Sequence, residues 1–478
     1  MKPEIHKEYN RRKNQWQQCR DCYDGSEAIK GRASRGSIKS WPGTAYLPAL
    51  EGHQSESDYA SYRERAQFYN GMGRSVDGLT GMIMAKAPLF DFPEEYSVQL
   101  DDLTLDGEPF ISFVSGLAEE VLIVGRAGVL IDFPRVEKST TKEQAEAENF
   151  RPYWTIYKAE EIINWRSEWI NNQSKIVLVD IADSEDSILR LELIEGLYQQ
   201  TEWVKQKSGE YEMVDDPVIP LIDGIPLSTI PFRFVNVKKT TTKVDKPPLL
   251  DLAYCNIAHY RNSADYEQLI HVCGLPTPWS VMFEPAEDGR FHLGPSTTWN
   301  TSQPGAAAGY LEISGQSAAA IQAAMREKEG QMAALGSRVL SPEKRAVETA
   351  ETAALHRVGE LSILSSIAKN LEEVMTWGLR IHARWAGFDG DESEIKATFN
   401  TDFMPERLDP ALLSALLGAV AQGVFAESAL FDYLKRFGFY GDKTTFEDVQ
   451  AEIATKPPAL PTGYEGGGYG GNRFGGGF

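Results

Sequence analysis

Four groups of residues are of a type and spacing that could do chemistry. Cys19 and Cys22 form a C-x-x-C, while Cys255 and Cys273 stand alone. A zinc site needs a second ligand pair at suitable spacing, and none follows. A redox C-x-x-C normally sits beside a βαβ pattern; here it lies in a polar, basic stretch, so two unpaired thiols near a flexible end is the plainer reading. Arg338, Lys344 and Arg345 cluster in one polar loop, GSRVLSPEKRAV. They are either solvated on the first turn of the next helix or contacts for an anionic partner. Cations at a helix N-terminus oppose the macrodipole, which slightly favours the partner. Trp279, Phe283, Trp299 and Tyr310 lie in a loop-rich segment, where aromatics serve an interface or a small local core. Glu160-Glu161 and Glu372-Glu373 are adjacent in sequence, and adjacent helical positions do not share a face, so neither pair is a ready carboxylate dyad.

The signatures of common enzymes are missing. There is no G-x-x-x-x-G-K-[ST] and no H-E-x-x-H, and no G-x-S-x-G elbow. The seven histidines are scattered. His356 and His382 share one long helix and read as core or subunit-contact residues. The glycines of GRAG, Gly125 to Gly128, stand between a helix and a strand. A dinucleotide fingerprint needs the opposite order, so they read as a helix C-cap and a tight strand entry. No catalytic residue, metal site or cofactor is expected, and the chain reads as a non-enzyme.

Composition narrows the class. The chain has 478 residues, 42% of them hydrophobic, which predicts two or more packed regions. Lys plus Arg is 48 and Asp plus Glu 69, a net charge of −21. A protein that grips DNA is basic; an acidic one can still let DNA slide. Four cysteines in so long a chain fit a reducing compartment. The first twenty residues lack a signal-peptide apolar region. The most apolar stretch, Leu412 to Phe431, is interrupted by Ser414, Gln422, Glu427 and Ser428 and is preceded by Asp409-Pro410. It reads as a buried helix, not a membrane span.

These groups need elements to position them. The first fifty residues read as an arm. A helical pattern starts at Ser55 to Asp58, with Tyr59, Tyr62, Ala66 and Tyr69 at helical spacing, and runs to Pro88. A second helix covers Ile111 to Val124, followed by the strand VLIDFP. Residues 150–235 are strand-rich, in YWTIY, KIVLVDI, LRLELI and EWV. The expected fold class is therefore α+β. After Lys246-Pro247-Pro248 comes a helix of about seven turns, carrying Leu249, Ala253, Ile257, Tyr260, Ala264 and Ile270 on its apolar face. An irregular excursion, 276–312, leads to an alanine-rich helix, Gln316 to Leu335. Its Ala319, Ala320, Ala323 and Ala324 admit close helix neighbours. The basic loop follows, and then a helix from Val347 to Phe388, about 60 Å long. No small domain buries such a helix, so it must cross several environments or neighbouring subunits. A short strand (IKATFNT), a helical region from Asp409 to about Thr455 and a tail with nine glycines in its last sixteen residues complete the chain.

This order resembles the portal proteins of tailed bacteriophages, and one portal group long catalogued as a domain of unknown function. The strings that carry the resemblance are YLPAL, FYNGMGRSVDGLTGMIMAKAP, VGRAGVLIDFP, PPLLDLAYCNIAHYRNSADYEQLIHVCGLPTPW and AVETAETAALHRVGELSILSSIAKNLEE. They run collinearly over roughly residues 46–375; the stretch from Pro247 to Trp279 is the most specific, and none is a catalytic signature. The resemblance implies an N-terminal arm (1–54), an α+β wing (55–246), a stem helix (247–272), a clip (273–315) and a second stem helix (316–335). A tunnel loop (336–347), a long wing helix with return strand (348–407), a crown-like helical region (408–455) and a Pro/Gly-rich tail (456–478) follow. It implies a portal-vertex subunit in a homododecameric ring, a channel for packaging and ejecting double-stranded DNA. The implied partners are further copies of the chain, passing DNA, the terminase large subunit, a tail adaptor and the major capsid protein, with no membrane. The implied location is the virion, and the host cytoplasm during assembly. In that frame Arg338, Lys344 and Arg345 face DNA, the four aromatics make clip interfaces and the four alanines pack stem against stem. The alternatives are another head–tail connector or minor head protein, and then a nucleic-acid-processing enzyme.

Overall fold

His6 opens the first helix, α1 (Lys7–Asp24), by accepting a hydrogen bond from the Glu8 amide on Nδ1. This helix buries Trp16, Cys19, Asp21 and Cys22 and is followed by α2 (Ser26–Gly31), with Ile29 in the core. Arg20 forks between Glu120, with Nη2 2.6 Å from Oε2, and Glu160, with Nε 2.7 Å from Oε1. The reading of the N-terminus as an arm is thereby corrected. The apolar side chains that it buries, Trp16, Cys19, Cys22 and Ile29, are too few to show a pattern among so many polar residues. The C-x-x-C is corrected with it: both thiols are buried, and burial pushes Cys19 up to about 12.

The computed structural model describes residues 3–34, 40–134, 150–222, 224–274, 277–285, 288–294, 297–311, 316–337, 350–401, 403, 410–436, 439–441 and 444–455. They fall into two units, Met1–Phe403 and Met404–Phe478.

Ser55 and Asp58 form a reciprocal capping box on α3 (Glu56–Arg65). The helix expected to run on to Pro88 stops at Ala66, and a new one, α4 (Gly71–Ile83), starts behind Asn70. Asn70 Oδ1 accepts from the Gly73 amide at 2.7 Å, so the break is capped locally. Strand β1 (Leu89–Asp91) and the short α5 (Glu94–Ser97) lead to α6 (Phe110–Val124), most of whose apolar side chains are buried. Gly125 ends it at φ +83, a left-handed cap that glycine takes without strain.

The fold is α+β. β2 (Arg126–Asp132) lies between β3 (Tyr153–Lys158) and β11 in an antiparallel three-stranded sheet. A five-stranded meander comprises β4 (Ile162–Ile170), β5 (Gln173–Ala182), β6 (Ser187–Ile194), β7 (Leu197–Lys205) and β8 (Tyr211–Met213). A small hairpin, β9 (Leu221–Ile222) with β10 (Ile225–Pro226), precedes β11 (Phe232–Asn236). The two larger sheets share a core of Leu130, Ile162, Trp165, Val179, Leu191, Tyr198, Phe232 and Phe234. Strand β4 holds Trp165 and Trp169 yet was absent from the expected strands, because its polar Asn164, Arg166 and Glu168 hide the apolar run.

Helix α7 (Leu250–Gly274) leads into a ribbon, β12 (Thr277–Val281) paired antiparallel with β13 (Ala307–Leu311), and then into α8 (Gln316–Met332). A wider turn at Ala333–Ser337 replaces the expected last turn of α8. Next comes α9 (Ala350–Trp385), 36 residues or about 54 Å long. It packs Leu364, Ile367, Leu371, Val374 and Leu379 into the main core beside α6. Gly378 has no side chain because the Trp154 ring fills that space: an added Cβ would lie 2.2 Å from it. β14 (Lys396–Thr398) pairs with β1 and closes the unit.

The second unit holds α10 (Pro410–Ala421), α11 (Glu427–Arg436) and α12 (Phe446–Thr455). Phe431 is buried between Tyr440 and Phe446. Among the described residues, no helix is long and apolar enough to cross a membrane.

Candidate functional site

The hairpin α7–β12–β13–α8 is firmly rooted and bare at its far end. Its root is polar and hydrogen-bonded at several points. Asn256 is buried; its Oδ1 accepts from the Gly71 and Met72 amides at 3.1 Å each, and its Nδ2 donates to the Tyr69 carbonyl at 2.7 Å. One side chain of α7 thus caps the start of α4. Arg261 donates to the Tyr46 carbonyl at 2.6 Å, and the Tyr62 hydroxyl donates to Asp265 at 2.6 Å. The Ser263 hydroxyl accepts from the Gln67 amide at 2.8 Å, and Arg65 donates to Gln268. From α8, Met332 returns into the core against Gly71. His259 is buried between the two helices; its Nε2 stays 3.5 Å from Glu329, and burial pushes its pKa down.

Beyond this root the burial stops. No residue of α7 after Ala264 is buried, and on α8 none from Ser317 to Gln331 is. Ala319, Ala320 and Ala323 are exposed and Ala324 is half-buried. The helices meet where Cys255 Sγ lies 3.5 Å from the Lys328 carbonyl and where His259 faces Glu329, and their surface beyond the root is left open.

The ribbon and its loop separate the four aromatics into two sets. Phe283 and Trp299 come together, with ring centroids 6.1 Å apart, and Phe291 joins them at 5.0 Å from Trp299. Trp299 Nε1 donates to the His292 carbonyl at 2.9 Å. That is the small local core. Trp279 pairs with Gly309 and Tyr310 with Pro278, so the Trp279 and Tyr310 side chains leave opposite faces of the ribbon. They stay 43% and 55% exposed, beside exposed Val281, Met282 and Leu311. One pair with Phe291 therefore packs locally, while the other two face outward.

The remaining expectations sort as follows. Arg338, Lys344 and Arg345 lie outside the described residues, as does the side chain of His356. His382 is a core residue: Nδ1 accepts from Trp154 Nε1 at 3.2 Å and Nε2 lies 2.9 Å from Gln99 Oε1. Glu160 holds Arg20, and Glu161 accepts from the Lys158 amide in the β3–β4 turn. Glu372 accepts from the Phe399 amide and Glu373 from Thr240. None of these four carboxylates faces another as an acid–base pair. Among the described residues, no group of three or more His, Cys, Asp and Glu could hold a metal ion.

Sequence reasoning overlooked Asn256, Asn370 and Arg126. Asn370 on α9 donates to the carbonyls of Asn236 and Val237 at 2.7 and 3.1 Å. The Arg126 guanidinium is buried between Trp165 and Phe234, 4.3 and 3.6 Å from their ring centroids. A usable signal existed for Asn370, a polar side chain among the apolar Ile367, Ala368, Leu371 and Val374 of its helix; Asn256 shares its buried face with His259 and Ser263.

Residues 248–386 match the family described as Domain of unknown function (DUF4055). Among solved structures, the chain is similar to one in the virion of a native gene transfer agent particle. That match has 13% identity and a TM-score of 0.39, and covers 80% of this chain and 94% of that one. It is also similar to a chain in the neck of an empty gene transfer agent particle, at 14% identity and TM-score 0.39, with 83% and 97% covered. A chain in the neck of the native particle aligns at 13% identity and TM-score 0.37, with 75% and 88% covered. No curated protein matches.

Proposed function

We propose that this chain is a non-enzymatic ring subunit of a phage-type particle, a portal through which double-stranded DNA passes. The observation that carries the proposal is the rooted but uncovered hairpin. About 15 Å of α7 after Ala264 and the alanine-rich shaft of α8 stand on a well-packed α+β body. Their flanks and tip are left open by their own chain. A monomer gains nothing from exposing Trp279, Tyr310 and Leu311; a ring covers such surfaces with the next copy. In this reading α7 and α8 are the stem, residues 273–315 the clip and α9 the wing helix. The four alanines are then stem contacts, and Arg338, Lys344 and Arg345 are the cations at the constriction. The terminase large subunit and the tail adaptor would dock in turn at the clip end, with the major capsid protein around the ring.

The acidic balance fits a conduit. Duplex DNA carries one charge per about 1.7 Å, and a lining of fixed cations would hold it at every step. Electrostatic reach is about 8 Å at physiological salt, so a net charge of −21 spread over the chain does not stop a few local cations from touching phosphates.

Mass measurement of purified particles tests the assembly: a ring near twelve times 53.2 kDa is expected, and a stable monomer at all concentrations would overturn it. Replacing Lys344 and Arg345 together by Ala should leave the ring intact and alter DNA packaging or retention. Unchanged packaging would remove the tunnel-loop role and leave the ring standing.

A further inference from the structure

The connection from β11 to α7 is the sequence Lys238-Lys-Thr-Thr-Thr-Lys-Val-Asp-Lys246. In a chain of net charge −21 it holds four lysines and one acid. Lys238, Lys239 and Lys243 are exposed, and none of the three is in an ion pair among the described residues. Lys246 is paired with Asp251 at 2.8 Å.

The loop is built from below. Buried Asn236 donates through Nδ2 to the Lys239 carbonyl at 2.8 Å and the Thr241 carbonyl at 2.7 Å. The Thr242 carbonyl accepts twice, from Arg126 Nη1 at 3.1 Å and from Trp165 Nε1 at 3.0 Å. Asp245 accepts from the Lys238 amide at 3.1 Å, and Thr240 donates to Glu373 at 2.8 Å. Asn370 of α9 holds the strand end just before the loop. Arg126 makes this support costly: among the described residues its Nε and Nη2 find no acceptor. A buried cation with unpaired donors is retained against its desolvation penalty. With the backbone carbonyls pulled inward, the lysines are left on the outside of a fixed loop.

We propose that residues 238–246 form a preorganised cationic site for the phosphate backbone of a nucleic acid, separate from Arg338, Lys344 and Arg345. The three free cations are all lysine, which meets phosphate as a point charge and does not demand the bidentate geometry of arginine with a carboxylate. Such contacts carry no sequence preference and suit a sliding duplex. The choice of nucleic acid over an acidic protein rests on the conduit reading; the fixed, cationic character of the loop does not.

Full-length protein would be titrated against a short labelled duplex by fluorescence anisotropy over a series of salt concentrations, with particle mass measured on the same samples. The Lys238→Ala, Lys239→Ala, Lys243→Ala triple variant should weaken binding and lower the slope of log affinity against log salt by about 2–3. The corresponding triple arginine variant should keep the wild-type slope. If the alanine triple loses its thermal transition, Lys239→Ala alone should lower the slope by about 1. An alanine variant with wild-type slope and affinity overturns the site. So does loop-dependent binding of poly-glutamate with no loop-dependent binding of duplex, which would assign an acidic protein partner. Particle mass separates this failure from that of the ring: an intact ring with no loop effect removes only the loop, and a monomer with the loop effect removes only the ring.

Discussion

Helices α6 and α8 differ by two residues in length and are opposite in their settlement with water. α6 has 15 residues and buries Phe110, Phe113, Val114, Leu117, Ala118, Val121, Leu122, Ile123 and Val124. α8 has 17 and, among the described residues, buries only Met332. The buried side chains of α6 sit among α1, α4, α9 and the three-stranded sheet. α8 packs along α7, meets α4 through Met332 against Gly71, and otherwise offers exposed alanines. Burying a large apolar side chain contributes about 1.5–3 kcal/mol, so the stability of the body is concentrated around α6. The hairpin is held by its root hydrogen bonds, and its outer surface is left open.

The comparison breaks most readily at Trp154, which lies against Phe110, Phe113 and Gly378. Trp154→Ala should cost about 3–5 kcal/mol in the body. Trp279→Ala at the ribbon should shift chain unfolding by under about 0.5 kcal/mol. Denaturant unfolding of both under monomeric conditions decides it, and equal losses would erase the contrast.

The next effect is acid sensitivity in the body. His382 is neutral in the fold, since Nδ1 accepts from Trp154 and a proton there removes that bond. Burial and then Arg151 push its pKa down to about 3, from 6.5. A base depressed on folding stabilises fully above its unfolded pKa. That contribution falls as pH drops from about 6.5 toward 3, by at most about 1.4 kcal/mol per pH unit. His382→Gln should flatten this part of the stability–pH curve; an unchanged slope in the variant would assign the acid loss elsewhere.

Asn256→Ala tests the root. It leaves the buried Met72 amide without its acceptor, at about 1–3 kcal/mol, while the Gly71 amide keeps its bond to the Tyr69 carbonyl. Hydrogen exchange should speed up at the start of α4, while the core of α6 stays protected; uniform acceleration would mean that root and body unfold as one.

The smallest effect on the isolated chain belongs to Ala323→Leu. The position is exposed, so unfolding should move by under about 0.5 kcal/mol. In a ring the added side chain overpacks the neighbouring stem, at about 1–3 kcal/mol per contact. Normal unfolding with impaired assembly is expected, and normal assembly would take α8 off the subunit interface.

Much of this architecture was legible in the sequence. Ile111–Val124 declared itself by its apolar spacing and its terminal glycine; Ser55 to Asp58 marked the start of a helix. The length of α9 and the helix–ribbon–helix order followed from periodicity and from the Pro-Gly-rich excursion between helices. These signals are local: hydrophobic spacing, caps and turn chemistry act within a few residues of one another. Tertiary structure alone decided that residues 7–31 belong to the core, because Trp16 and Cys19 gain a buried face only when α6 and α7 supply it. After the helix breaks at Ala66, it also supplied the second cap of α4, Asn256 of α7, 190 positions beyond Ala66. It alone set Arg126 between Trp165 and Phe234 and turned the carbonyls of residues 239–242 inward. Buried polar groups must find partners wherever the fold brings them, and nothing in the neighbouring residues says which partners those are.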